Sequence, residues 1–584
     1  MRYFRIFKII FLFIIVSGTA KAQTKEQQKA ILLKRVIEIN HYQPRPVDDK
    51  FSQLFYDAFI KSLGEAELTL TADNLKTLSF FSTKIDDELN GKEWKFLPVV
   101  TSILKENNQK NKNDSLQLTD EELKDFLFEL YSDVLANTFD PHTEFMPSEE
   151  KEKFETRLST EGYFFGFALS DNKMQEPEIE TLIPGSAAWK SGELNKGDVP
   201  TKISFNGAKP LSLKGLNARQ ISALLESPND ARLTMTVRKT DGVEKEVTIT
   251  KEKIRNDENI VKGFILNGTS KIGYIYLPDF YTTYNGSTGS CANDVAKEIV
   301  KLKKENIQGL LFDVRYNGGG SLQEALDLAG IFIDAGPLCI VRDKTGKTLT
   351  LKDPNKGTIY DGPIVLLVNG QSASASELVG AVLQDYHRAV IAGSATYGKG
   401  TAQGIIPVDS TIGPKDDWNG DFVKITSGKF YRITGLTTQN TGVHPDILLP
   451  DLFDGMNYHE GAAPSALTAD SIPKNNYYKP LPELPLSDLI AKSKARVQSD
   501  TQFLGVKEAS KLLSDPNRKQ AIEKPEWTKT TLYTSDNNSS DKIVIQSDSY
   551  QADLNNTWLK RLDTDIYIAE GYSILLDLIN HKTP

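Results

Sequence analysis

Cysteine is nearly absent: only Cys291 and Cys339 occur in 584 residues. That excludes a scaffold built on disulfides, which needs several bridges. Cys339 lies in the apolar run PLCIV and Cys291 precedes a helical pattern, so both read as buried free thiols. Histidine is scarce too, with six residues and no ligand spacing. Neither HExxH nor CxxC occurs, so no metal and no cofactor are expected. Positive charge is not in excess. A net charge of -9 argues against nucleic acid, whose binding needs a basic face to displace counterions. Long hydrophobic runs are missing as well. The run at Ile9–Val16 falls well short of the roughly 20 residues that a membrane span needs.

What is present begins with an address. Arg2, Arg5 and Lys8 precede that short apolar run, and Ala20 and Ala22 follow it. This order is a secretory signal peptide over residues 1–22, cut after Ala22, with no cysteine behind it to carry a lipid. The expectation is a periplasmic protein with no stable membrane insertion. The rest is too long for one core, and three to five domains are expected. Charged residues at 25% and apolar ones at 39% are ordinary globular values, so extended disorder is not expected.

Residues 23–160 read as a helical N-terminal domain. Phe51, Leu54, Phe55, Ala58 and Phe59 recur at helical steps, and Thr119 with Glu122 forms a capping box. In FDPHTEFMPSEEKEKFETRL, Pro141 and Pro147 break the pattern, and the isolated His142 reads as structural. Residues 161–254 change to short β-like runs with two helical pieces, SAAWKSG and NARQISALLES. That pattern resembles a PDZ domain. Phe165-Gly166-Phe167 stands where such domains carry their carboxylate-binding loop, in which a glycine lets the backbone approach a peptide terminus. Pro200 departs from the usual pattern and suggests a bulge or an edge. Residues 255–452 alternate strands and helices, with the continuous apolar runs IQGLLFDVRY and PIVLLVN expected of a sheet buried on both faces. Residues 453–584 read as an accessory helical C-terminal domain, with DNNSSDK at 536–542 as an exposed loop. The fold class is thus multidomain α+β.

The chemistry concentrates in residues 363–404. Ser374 lies at the first turn of a helix after a buried strand, where unpaired N–H groups favour a developing anion. The N–H of Ala375 is one such group. Three serines, Ser372, Ser374 and Ser376, compete, and spacing does not choose between them. His387 and Asp385 lie on the same helix, with His387 about 20 Å along its axis, out of reach of the hydroxyl. Lys399, between Gly398 and Gly400, is the alternative base. Its pKa must then fall from about 10.4 by about three units through burial. Gln403 is placed to orient the amine. The run GSATYGKGT nearly matches a phosphate-binding loop, but no helix follows to hold phosphate, because Pro407 and β-branched residues come next. The cluster Gly318-Gly319-Gly320 ends another buried strand, and its N–H groups are candidates for the second half of an oxyanion hole.

The segment GQSASASELVGAVLQDYHRAVIAGSATYGKGTAQ resembles the active-site region of the C-terminal processing peptidases, or tail-specific proteases. GLLFDVRYNGGGSLQEA resembles that family's glycine segment, and TQNTGVHPDILLP its closing strand. The resemblance implies an α/β serine-peptidase core at 255–452 with Ser374 as nucleophile, Lys399 as base and Gln403 as its partner. It implies oxyanion donors at Ala375 and at Gly318 or Gly319, and a supporting role for Asp385. It also implies that the module with Phe165, Gly166 and Phe167 captures protein substrates by apolar C-terminal tails, and it leaves room for an adaptor protein. A peptide-binding scaffold that captures tails without cutting is the alternative reading.

Overall fold

The computed structural model describes residues 23–110, 119–225, 231–255, 260–283, 289–409, 420–474, 477–515, 527–547 and 549–581. The expected signal peptide, residues 1–22, lies outside the described residues. The chain divides into two compact units, Met1–Ile39 with Arg45–Thr138, and Asn40–Pro44 with Phe139–Pro584.

The first unit is helical. Its helix Asp49–Glu65 buries Phe51, Phe55 and Phe59 on one face as the periodicity expects, whereas Leu54 is half-buried and Ala58 is exposed. Asp48 caps that helix by accepting from the N–H groups of Lys50 and Phe51. The capping box before the helix Asp120–Phe139 forms in both directions, Thr119 N–H to Glu122 at 2.7 Å and Glu122 N–H to the Thr119 hydroxyl at 3.3 Å.

The second unit is organised on a seven-stranded sheet. Its order is Ile447–Leu448, Val390–Gly393, Ile364–Val368, Gly309–Asp313, Lys271–Tyr276, Lys262–Gly268 and Tyr533–Asp536. The first five strands run parallel, and the last two add antiparallel pairings. Alternation along each strand divides the core. Leu310, Phe312, Ile364, Leu366 and Val368 face the helices Cys291–Lys304, Leu322–Phe332 and Ala375–Asp385. Leu311, Val365 and Leu367 face a second cluster that includes Leu489, Phe503, Ile568 and Leu575 from the C-terminal helices. Each such side chain contributes about 1.5–3 kcal/mol by leaving water. The apolar runs are continuous because both faces are covered.

The C-terminal segment therefore completes this sheet, with one edge strand and the helices of its second face. The stretch 536–542, read above as a loop, ends the strand Tyr533–Asp536 and opens the helix Ser539–Ser547. Asn538 makes that start by accepting from the N–H groups of Ser540 and Asp541. Both cysteines are buried and unpaired.

A second, antiparallel sheet is centred on the long strand Phe422–Arg432. It pairs with Glu144–Met146, Gly336–Asp343 and Thr401–Pro407. The β-rich module has a four-stranded sheet, a separate pair Phe167–Asp171 with Pro177–Leu182, and short helices at Ala187–Ser191 and Ala218–Leu225. Its register slips between Pro200 and Lys202, a bulge at the departure noted in the sequence. Among the described residues no helix is long and apolar enough to cross a membrane.

A buried ionic cluster fastens the last helix to the sheet. Arg315, 4% exposed, donates to Asp313 at 2.7–3.1 Å and to Asp565 at 3.0–3.1 Å. Asp565 also caps the helix Ile566–Asn580. Removing the guanidinium leaves two buried carboxylates uncompensated. Arg315→Ala is expected to lower unfolding stability by about 3–5 kcal/mol, read from denaturant-induced unfolding.

Candidate active site

The strand Ile364–Val368 ends in a turn that delivers Ser374 to the start of the helix Ala375–Asp385. Ser374 has φ 56° and ψ -110°, a conformation that L-residues avoid. Strain of this kind costs about 1–3 kcal/mol and persists only where its surroundings hold it. The two neighbouring serines are engaged elsewhere. The Ser372 hydroxyl donates to the Val314 carbonyl at 2.8 Å and the Ser376 hydroxyl to the Asn317 carbonyl at 2.9 Å, both fully buried. Ser374 alone of the three keeps partial exposure.

The glycine cluster lies against this turn. A Cβ built on Gly319 would stand 2.8 Å from the Ser374 Cβ and 3.1 Å from the Ala375 nitrogen, and Gly319 has φ 107°. Only glycine permits both. The N–H of Gly319 is already taken by the Asn317 side chain at 2.9 Å. The N–H groups of Gly318 and Ala375 have no partner among the described residues, and Gly318 is exposed beside the turn. Of the two glycines named from the sequence, Gly318 is the one with a donor to spare.

Lys399 lies between the two sheets, after the strand Val390–Gly393 and before Thr401–Pro407. Its amine makes no hydrogen bond or ion pair among the described residues. It lines a cavity of about 490 Å³ together with Gly318 and Ala373. The remaining walls are largely apolar, with Phe453, Met456 and Tyr458 among them. Burial pushes the amine down to about 8, and nearby Lys424 pushes the same way, against the carboxylates of Glu460, Glu144 and Asp140.

Glu377 ties the serine turn to the lysine loop. Its carboxylate is fully buried and accepts from the backbone N–H of Ser374, Gly398 and Lys399 at 2.7, 2.7 and 2.8 Å, and from the Thr396 hydroxyl at 2.6 Å. Burial raises its pKa to about 7 in spite of these donors. Sequence reasoning missed this residue, although Ser374-x-x-Glu377 is a capping-box spacing.

Gln403 does not bond to Lys399. Its Nε2 donates to the hydroxyls of Thr401 and Thr426 at 2.9 and 3.0 Å. Asp385 stands at the far end of the helix that begins after Ser374 and receives Arg432 through both oxygens, at 3.1 Å from Nε. His387, also there, bonds to the Leu481 carbonyl. His142, read as structural, reaches the cavity and bonds to the buried Glu460 at 2.6 Å. Their separation of 318 positions hid that pairing.

In the β-rich module, Gly166 has φ 88°, and a Cβ there would fall 2.0 Å from the Ser186 Cβ. Its carbonyl accepts from the Ile183 N–H and the Ser186 hydroxyl. Phe165 is buried and stacks on Phe167 with centroids 6.5 Å apart. The strand Phe167–Asp171 pairs along one edge only among the described residues. An unpaired edge of this kind can accept a further extended chain.

A strained serine at a helix start, a buried amine and two spare N–H groups form a site suited to acyl transfer. Comparison with known proteins places the chain in a family. The profile of peptidase family S41 matches residues 271–449, and that of the tail specific protease N-terminal domain matches residues 33–123. A carboxy-terminal-processing protease of Bartonella bacilliformis is 30% identical over 54% of this chain and 69% of its own length. A tail-specific protease of Haemophilus influenzae is 28% identical over 74% of this chain, which spans 61% of that relative's length. The structure titled photosystem II D1 C-terminal processing protease aligns with 73% of this chain and 94% of its own at 20% identity, with a TM-score of 0.36. The chain belongs to peptidase family S41.

Gly319→Ala forces a methyl group into the serine turn at a positive φ. It is expected to lower the melting temperature and to abolish labelling of Ser374 by a fluorophosphonate probe, read by intact-protein mass spectrometry. Unchanged labelling overturns this account of the turn.

Proposed function

We propose that this chain is an exported serine endopeptidase that captures the C-terminal tails of proteins and hydrolyses peptide bonds with Ser374, Lys399 and Gln403. The observation that carries the reading is the Lys399 amine, unpartnered in an apolar cavity shared with Gly318 and Ala373, with a pKa near 8. At neutral pH about a tenth of such amines are uncharged, against roughly one in three thousand at the ordinary lysine value. The general base is therefore available without a histidine.

Lys399 takes the proton of the Ser374 hydroxyl as the oxygen attacks the scissile carbonyl. The N–H groups of Ala375 and Gly318 receive the oxyanion. The intermediate collapses, the ammonium returns its proton to the departing amine, and an acyl-enzyme remains on Ser374. Water then attacks, again with Lys399 as base, and frees the new C-terminus. Glu377 and Asp385 position these groups without touching the substrate. Phe165, Gly166 and Phe167 bind the tail: the substrate adds along the strand Phe167–Asp171 and its carboxylate reaches the N–H groups at Gly166. Substrates with apolar C-termini fit this module, and an adaptor protein is a further partner in this reading. A periplasmic location is supported by the order of basic, apolar and small residues in 1–22.

The test is cleavage of an unfolded protein bearing an apolar C-terminus. Wild type is expected to cut it and Ser374→Ala to bind without cutting; wild type that binds and never cuts is the scaffold alternative. Lys399→Arg is expected to be inactive, because a guanidinium stays protonated. The sign of the pH dependence follows from the lowered lysine pKa. The uncharged base grows as pH rises, so kcat/KM is expected to increase through a midpoint near 8. A flat profile from pH 6 to 9 counts against the lysine.

A further inference from the structure

The strand that carries Gln403 has an irregularity at that residue. Its register against Phe422–Arg432 slips between Ala402 and Gln403, which sets Gln403 directly opposite Thr426. Bulges of this kind re-aim a side chain. The Gln403 Nε2 donates to the Thr426 hydroxyl at 3.0 Å, and that hydroxyl donates to Asp140 Oδ1 at 3.0 Å. Asp140 is 1% exposed and accepts three further bonds, from the His142 N–H at 2.9 Å, from His41 Nε2 at 2.6 Å and from the Thr143 hydroxyl. His41 Nδ1 accepts from the Gln43 N–H at 3.1 Å, so the ring proton lies on Nε2 and points at Asp140.

Thr426 is held by its backbone as well. Its N–H donates to the Thr143 hydroxyl at 3.2 Å and its carbonyl accepts from the Tyr42 N–H at 2.7 Å. Residues 40–44 and 140–143 thus grip the strand edge between the pairings to Glu144–Met146 and Gly336–Asp343.

Counting protons fixes the rest. Four donors converge on the Asp140 carboxylate. Burial alone would raise its pKa, but the hydrogen bonds, that of His41 first, hold it at about 2. An ionised carboxylate only accepts, so the single Thr426 hydroxyl proton goes to Asp140. Toward Gln403 the hydroxyl then offers a lone pair, and only the NH2 end of the amide can meet it.

We propose that Asp140 and Thr426 are positioning residues that lock the Gln403 amide with its NH2 toward Thr426 and its carbonyl oxygen available to Lys399. The inference rests on Lys399 acting as the base. On taking the Ser374 proton, Lys399 becomes an ammonium, which only donates. A carbonyl oxygen stabilises it, whereas a flipped amide presents N–H against N–H. The other charges facing Lys399 are the Lys424–Glu144 pair at 2.8 Å, on neighbouring strands, and Glu460 with His142 at 2.6 Å. The substitutions below leave all of these in place.

The experiment measures kcat, KM and the pH midpoint on an unfolded peptide substrate for wild type, T426V, T426S, D140N and K399A, each as the full chain. T426V keeps the shape and removes the hydroxyl. It is expected to lower kcat by about ten- to a hundredfold, the scale of a misplaced catalytic group, with KM little changed. Its midpoint moves to lower pH, because the ammonium loses an acceptor. D140N, which lets the partner of Thr426 donate and removes a charge that favours the ammonium, moves the midpoint the same way. T426S retains the hydroxyl and is expected to keep the wild-type midpoint and most of kcat. The folded fraction of each variant, read by circular dichroism at each pH, corrects kcat, so that partial unfolding of T426V does not imitate the shift. Wild-type midpoints in T426V and D140N, or T426S as impaired as T426V, overturn the proposal. K399A separates the two layers: activity retained there removes the base assignment itself, whereas inactive K399A beside unaffected T426V removes only the positioning.

Discussion

Four donors converge on the carboxylate of Glu377, and the geometry of the site depends on them. Three are backbone N–H groups, from Ser374 on one side and from Gly398 and Lys399 on the other. Ser374 and Lys399 come from segments that follow different strands, so nothing in the local chain sets their spacing. A carboxylate at the first turn of the helix Ala375–Asp385 sets it, reaching back to Ser374 and outward to the lysine loop. Its position at a helix N-terminus offsets part of the cost of burying it, since the helix dipole favours negative charge there. The backbone of Ser374 can hold φ 56° because this bond and the close approach of Gly319 leave it no alternative.

The same enclosure gives Lys399 its character. A lysine with a close carboxylate partner would keep its proton, and that proton would keep it from acting as a base. Carboxylates are present nearby, but each is otherwise engaged: Glu460 with His142 and Gln439, Glu144 with Lys424, Asp140 with four donors. They temper the shift without forming an ion pair, and desolvation prevails. The enclosure that forms the cavity is thus also what lowers the lysine pKa.

Much of the core was legible in the sequence. IQGLLFDVRY and PIVLLVN announced a sheet buried on both faces, and Leu310 and Leu311 do point to opposite cores. The helix Asp49–Glu65 followed from Phe51, Phe55 and Phe59. The site was less legible, for physical reasons. Spacing could not separate Ser374 from Ser372 and Ser376, because what separates them is a backbone angle and two hydrogen bonds. The resemblance to a family made that choice. His142 read as structural and Asp140 drew no reading, since their partners Glu460 and Thr426 lie 318 and 286 positions away. The edge strand Tyr533–Asp536 is a short polar run, YTSD, whose pairing comes from the exposed edge of Lys262–Gly268 rather than from any pattern of its own.

Asp385 anchors the far end of the helix that begins at Ser374. The helix Ala375–Asp385 spans about 16 Å, at 1.5 Å per residue. Its first turn is bound through Glu377 to the lysine loop, and its last turn is bound through Asp385 and Gln384 to Arg432. Arg432 ends the strand that carries Thr426, and Thr426 holds Gln403. The helix is therefore braced at both ends against the second sheet, from which the lysine side of the site is built. Glu377 and Asp385 thus hold the two ends of the helix that begins at Ser374.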